Sequence, residues 1–550
     1  MNELSELFLN ISDGDTITLE ENKIYNVYQD DSYTLSGIYC TNTARKRENP
    51  RGSRVAAIYL KDKKDITING NGATILVHGK MTPLLFENCE NISVNGLTID
   101  YFCPTMSEFT VLSNENGRVK VKINDECLYD VNKNDLIWHG EKYSKGKYYW
   151  KDSYIGNKRH YKLLDPKTGL FIDFSRNDIE FSSIEDLGNN TLSVTLKNPD
   201  VYFPTGAIVQ TRNIIRDHTG SLFNRCKNLS FDNMRVKFMH GLGMVSQYCE
   251  NISYTNCDFT PAEGRTAAST ADFFQFSGCK GQILIDNVKA NGAHDDYVNV
   301  HGTHLRIVRK NNRKKTITVR FMHNESWGFQ AFEIGDQLEF IKWDTLFPYD
   351  KTIVTGYKRL NDTDIRLYLD RALPDSIVVG KDVVENVTWT PNVHIKNCEF
   401  GLTCGRGILC TTRGEVIIES NSFKNVWGPA LLIEDDCNFW FESGYTNKIV
   451  FRNNILDHCD YRKMYPGSPV VRYSPKVMNE ESTEFVHGCL VFEGNVVKNP
   501  VEEKHLFHLE YLKEAIIRNN TFDAQYEITT KTCGNVLDIE NIILQKEKTD

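Results

Sequence analysis

Asp272 and Asp295 stand 23 residues apart, and Asp296 follows directly. Carboxyl groups brought together from separate segments are the minimum for general acid–base chemistry, one giving a proton and another taking one. Carboxylates that share a site repel, so one pKa rises and its owner becomes a proton donor near neutrality. His294 and His301 flank the pair and His240 precedes it, as candidate substrate contacts or supports. Arg306 and Arg406 are further candidates for substrate contact. A second acidic run, Glu434-Asp435-Asp436, lies near Trp427, Trp440 and Glu442. It could wall the same groove, with the Trp440 indole stacking on sugar C–H faces. The bland alternatives are solvated turns, structural histidines or a calcium site. Calcium takes about six to eight oxygens, more than Asp272, Asp295 and Asp296 supply, so no metal and no cofactor is expected.

A repeat is what would bring these residues together. Cys89–Val94 (CENISV), Cys226–Phe231 (CKNLSF), Cys249–Tyr254 (CENISY) and Cys279–Leu284 (CKGQIL) each place a small residue, a polar pair and an alternating apolar stretch. Cys226 to Cys249, Val393 to Val416 and Gly405 to Gly428 are all steps of 23. Further copies begin at Ile66, Ile449, Leu490 and Ile516. Fixed self-similarity of this length signals a solenoid, and the short β-rich segments end in Asn, Gly and Asp, which favour turns. The expected fold is all-β: a right-handed parallel β-helix of ~23-residue coils, with Asn ladders at its turns. Propeller blades need about 40–45 residues and fit poorly.

On this reading Asp272 and Asp295 stack on adjacent coils, aligning Phe274 with Tyr297. Strand alternation would then turn Asp296 inward, unless the chain bends after Gly292. Residues 103–215 and 304–388 lack the repeat and read as two inserted small β-barrel-like domains. They divide the helix into coils at 1–102, 216–303 and 389–550, with the aspartates in the middle set.

The net charge of −9 and the lack of any long basic tract exclude nucleic acid as an expected partner. No stretch approaches the ~18 apolar residues of a membrane span. Met1–Tyr25 has no apolar segment of the kind a signal peptide carries. The 15 cysteines include no CxxC pair, and their recurrence within the repeat suggests buried thiols packed as small hydrophobes.

The strings ADFFQFSGC (271–279), HDDYVNVHGTHLR (294–306), PALLIEDD (429–436) and WFESG (440–444) together resemble glycoside hydrolase family 110. These are α-1,3-galactosidases that remove terminal galactose from blood group B and related glycans. The resemblance spans nearly the whole chain. It implies an inverting, metal-independent exo-hydrolase, with Asp272 as general acid and Asp295 with Asp296 preparing the water. The implied partner is an oligosaccharide or glycoconjugate ending in α-1,3-galactose, and a homodimer is compatible with it. The implied location is periplasmic, cell-surface or secreted in a bacterium. Two other readings of the β-helix stay open: a polysaccharide lyase or polygalacturonase-like endo-hydrolase, and a glycan-binding solenoid without catalysis.

Overall fold

The computed structural model describes residues 3–143, 146–156, 159–174, 178–498 and 505–544; the outermost residues of the first and last expected segments, 1–2 and 545–550, lie outside it. The chain is a parallel β-helix. Three long sheets of 12, 12 and 13 strands run its length, and each coil contributes one strand to each. A representative coil runs Met244–Gln247, Glu250–Thr255 and Asp258–Phe259, then loops into Phe274–Ser277 of the next.

Stacking explains why the repeat is so regular. Parallel pairing puts equivalent residues one above the other, so an apolar position must stay apolar in every coil. Ile92, Leu229, Ile252, Ile283, Val393, Val416 and Ile449 form one such inward column. All lie in a single core running the length of the helix. At the turn after the second of these strands, Asn421, Asn454, Asn495, Asn520 and Asn541 form a ladder. Each side-chain Nδ2 donates to the next Oδ1, at 3.0 Å for the Asn421–Asn454 step. The cysteines are unpaired and mostly buried, as expected of small core side chains.

Two antiparallel units interrupt the coils. The first lies between Thr98–Tyr101 and Ser221–Asn224. It is a seven-stranded sheet with a three-stranded companion, around a core that includes Phe109, Trp138 and Tyr154. The second, from Leu305–Asn311 to Val383–Asn386, closes into a six-stranded barrel. Among the described residues no helix is long and apolar enough to cross a membrane.

Candidate functional site

The loops that lead into the longest sheet hold the acidic residues, and strand pairing fixes their alignment. Phe274 pairs with Val298, and Val298 with Ile408. The step is therefore 24 residues here, and the residues two places earlier, Asp272, Asp296 and Arg406, stack on three successive coils. This corrects the expected pairing of Asp272 with Asp295. The extra residue is a bulge between Lys280 and Ile283, opposite Glu250–Ile252, and it shifts every later position by one place, so that Asp296 rather than Asp295 enters the column. The backbone bonds agree: Phe273 and Phe274 donate to the carbonyls of Asp296 and Tyr297, each at 3.0 Å.

Tyr297 anchors the bend. It is fully buried, with its ring stacked on Phe400 at 4.8 Å. The preceding carboxyl of Asp296 points away from that core and is covered instead by Arg406. Gly405 lets the next coil approach closely, since a Cβ there would come within 2.4 Å of the Asp295 carbonyl carbon. Asp295 and Asp296 thus both reach one cavity, and neither lies in the hydrophobic core.

The three carboxyls have different surroundings. Asp296 accepts the Arg406 backbone N–H at 2.8 Å and the guanidinium at two points, each 2.7 Å. Burial still pushes it up, to about 6, against the pull of Arg406. Asp295 accepts from Arg216 on Oδ2 at 2.6 Å and lines the cavity. Its side chain is 29% exposed. Burial would raise its pKa, but Arg216, Arg406 and Arg212 outweigh that and hold it below the usual range. Among the described residues no cation pairs with Asp272, while Arg216 pairs with Asp295 and Arg406 with Asp296. The one recorded side-chain hydrogen bond of Asp272 is a long one, 3.4 Å from the Asp296 backbone N–H. Burial and the two neighbouring aspartates push it well above the usual range. The surroundings therefore favour a proton on Asp272 over one on Asp295.

The cavity measures about 170 Å³, and Asn42, Asn299, Leu409, Thr411, Glu434, Asp436, Phe439, Trp440, Glu442 and Lys476 complete its lining. Its floor is deeply buried and its mouth carries the exposed rings of Phe439 and Trp440. Six carboxyl groups face three cations, Arg216, Arg406 and Lys476. The lining therefore has a formal excess of negative charge.

Metal binding fits poorly. The oxygens of Asp272, Asp295 and Asp296 lie within 4.8 Å of one another, but two guanidiniums already occupy the positions a cation would take. Asp217, His218 and His240 form a second cluster. There Nε2 of His218 accepts from the Val55 N–H at 3.3 Å. A metal on Nδ1 would put a proton on that acceptor, and Lys80 already lies 3.4 Å from Asp217.

Two related proteins are named as α-1,3-galactosidases. Alpha-1,3-galactosidase A of Akkermansia muciniphila is 38% identical over 450 residues, covering 81% of this chain and 72% of that one. Alpha-1,3-galactosidase A of Bacteroides fragilis is 34% identical over 495 residues, covering 88% and 79%. The chain belongs to the α-1,3-galactosidase family. Residues 316–384, within the second inserted unit, match the family described as GLAA-B beta-barrel domain II. A solved exopolygalacturonase of family 28 from Yersinia enterocolitica overlaps at a TM-score of 0.37 with 8% identity, covering 99% of this chain and 75% of that one.

In this galactosidase-family chain the cavity gathers Asp272, Asp295, Asp296, Arg406, Glu434 and Trp440 from the expected residues. It does not gather the rest of them. His240 is buried between Asp217 and Thr105, with bonds of 2.6 and 2.7 Å. His294 lies behind the site: its Nδ1 accepts from Arg212 and its Nε2 donates to Gln210. It is thereby a neutral support for a guanidinium that acts on Asp295. His301 is held by Gln275 and by the Gly302 carbonyl, each at 2.6 Å. Asp435 pairs with buried His304 at 2.9 Å. Arg306 donates to the Cys437 carbonyl at 2.8 Å and braces the loop that carries Trp440.

Sequence reasoning missed Asn42 and Arg216. Arg216 follows the last strand of the first insertion, Ile208–Asn213. Asn42 lies on the N-terminal segment and donates to Glu442 at 2.6 Å, across 400 residues of chain. Neither sits in the repeat, so no spacing pointed to them.

Proposed function

We propose that this chain is an exo-acting, inverting α-1,3-galactosidase that removes terminal α-1,3-linked galactose from blood group B-type glycans and linear Galα1,3Gal glycans. The observation that carries the reading is Asp272, in contact with two aspartates and pushed up by burial, facing Asp295, which Arg216 holds, within one small cavity. A floor of that size suits a single terminal sugar ring rather than a threaded chain. Asp272 gives its proton to the glycosidic oxygen as the bond to the anomeric carbon breaks. A water donating its two O–H bonds to Asp295 and Asp296 turns a lone pair toward that carbon. Its proton passes to Asp295, and galactose leaves with the opposite anomeric configuration. Asp295 takes the proton because it has a free oxygen, whereas Asp296 is already the acceptor of three hydrogen bonds. The names of the relatives support the linkage and the sugar.

The excess negative charge argues against the lyase and polygalacturonase readings, because their uronate substrates carry a charge on every residue. One observation favours a second stereochemistry. Nearest carboxyl oxygens within 4.8 Å are closer than the ~6.5–9.5 Å usual for inversion and near the ~5–5.5 Å of retention. Retention would make Asp295 the nucleophile. The paired Asp295 and Asp296 support a cradled water, and therefore inversion, as does the family resemblance. The same resemblance supports a periplasmic, cell-surface or secreted location in a bacterium.

Incubation with a blood group B oligosaccharide beside its linear α-1,3-galactosyl analogue tests the substrate assignment. Free galactose from at least one is expected. Absorbance of an unsaturated product, or no galactose from either, would refute it.

A further inference from the structure

The cavity accounts for one terminal sugar, yet two large rings stand beyond its floor. Phe439 is 59% and Trp440 48% exposed, while Asp272 and Asp296 are 3% and 1% exposed. Adjacent exposed aromatics at the mouth of a polar cavity mark a contact surface.

The loop that carries them, between Leu431–Ile433 and Glu442–Ser443, is held firmly. Asp436 accepts the backbone N–H groups of Asn438 at 2.7 Å and Phe439 at 3.0 Å, and also that of Trp440. Phe441 closes the turn in the left-handed region at φ 61°, a conformation costly for a bulky residue unless its surroundings enforce it.

Much of that enforcement comes from the second barrel. Arg306 donates to the Cys437 carbonyl, and its guanidinium lies 5.0 Å from the Phe441 ring centre. Asn438 donates to the Trp343 carbonyl at 3.0 Å. Cys437 and Phe441 pack with Ile341, Leu346 and Val383 in one apolar cluster. The His323 ring lies against Trp440, tilted by 37° with ring centres 4.3 Å apart. Arg306, His323, Trp343 and Val383 all belong to the second inserted unit, which thus contacts the loop at Cys437, Asn438, Trp440 and Phe441.

We propose that Phe439 and Trp440 form the platform for the sugar on the leaving side of the scissile bond, a neutral hexose of an oligosaccharide, and that the second barrel serves to fix this platform. The apolar C–H face of a pyranose stacks on such rings with little entropy loss, because the loop is already held by these contacts. His323 is a positioning residue, acting through Trp440. The proposal rests on the galactosidase reading.

The test compares two substrates. One is a linear α-1,3-galactosyl trisaccharide, whose leaving group is a sugar. The other is α-galactosyl fluoride, whose leaving group is too small to reach the platform. In Phe439→Ala, Trp440→Ala and the double variant, the ratio of kcat/KM for the trisaccharide to that for the fluoride should fall about tenfold or more, chiefly through KM. His323→Ala should lower the same ratio by a smaller factor. An unchanged ratio would overturn the proposal, whether both substrates suffer equally or neither does. Failure of the wild-type protein to hydrolyse either substrate would instead overturn the galactosidase reading itself.

Discussion

Replacing Arg406 with alanine should move the acidic limb of the pH profile. Arg406 supplies three donors to Asp296, two from the guanidinium and one from the backbone. The variant keeps the backbone donor alone. Removing one partner of a buried ion pair costs about 3–5 kcal/mol; the Arg406 side chain is 25% exposed, so we take the lower end. About 3 kcal/mol against the ionised form is roughly two pKa units. Asp296 starts at about 6 and would move to about 8, so its ionised fraction at pH 7 would fall from about 0.9 to about 0.1. The reaction needs Asp296 ionised, so the wild-type rate climbs as pH rises through about 6. In the variant the climb comes later. The assay is kcat/KM on the linear trisaccharide from about pH 4.5 to 9. A loss of about tenfold at pH 7 from ionisation alone, shrinking toward alkaline pH, is expected. Arg406→Lys should show a smaller displacement, since it keeps the charge and loses the fork. Stability follows the same sign. A folded-state pKa raised above 3.8 means the stability contribution is full in acid and is lost as pH rises through about 6. The variant should therefore be most weakened, relative to wild type, in alkali. An acidic limb fixed near 6, with an equal loss at every pH, would refute the assignment of Asp296 as an Arg406-held anion.

Other perturbations separate the remaining roles. Asp272→Asn should lose about 10²–10⁴ in kcat/KM on the trisaccharide but much less on α-galactosyl fluoride, whose leaving group needs little protonation; Asp295→Asn should lose activity on both. Asn454→Ala should lower the melting temperature in a thermal scan while leaving kcat near wild type. It breaks a buried rung that accepts from Asn421 and donates to the Ile418 carbonyl and to Asn495, and each orphaned partner costs about 1–3 kcal/mol. EDTA should leave the rate unchanged, because Arg216 and Arg406 supply the positive charge at the carboxylates; a chelator-sensitive rate restored by calcium would contradict that.

The helix was legible because stacking forces each coil to repeat the same inward residue, as at Ile252, Ile283 and Val393. The carboxyl triad was legible as residues but not as geometry. A one-residue bulge between Lys280 and Ile283 decides whether Asp295 or Asp296 stands over Asp272; CKGQIL reaches its inward Ile283 one place later than CENISY reaches Ile252, and only the strand pairing shows what that slip does downstream. The histidines of the motif misled for a related reason. His294 and His301 accompany the acidic string because they are bonded to Arg212, Gln210, Gln275 and the Gly302 carbonyl around it, and a sequence cannot distinguish a bracing imidazole from a contacting one. Arg216 and Asn42 come from segments outside the coils, so only the folded chain brings them to the cavity.

The account turns on Asp272 giving a proton while Asp295, beside Asp296, activates a water. Proton NMR of the galactose first released from a Galα1,3Gal trisaccharide tests this most directly. The β-anomer should appear first and equilibrate toward α by mutarotation. First appearance of the α-anomer would contradict the account and make Asp295 a nucleophile.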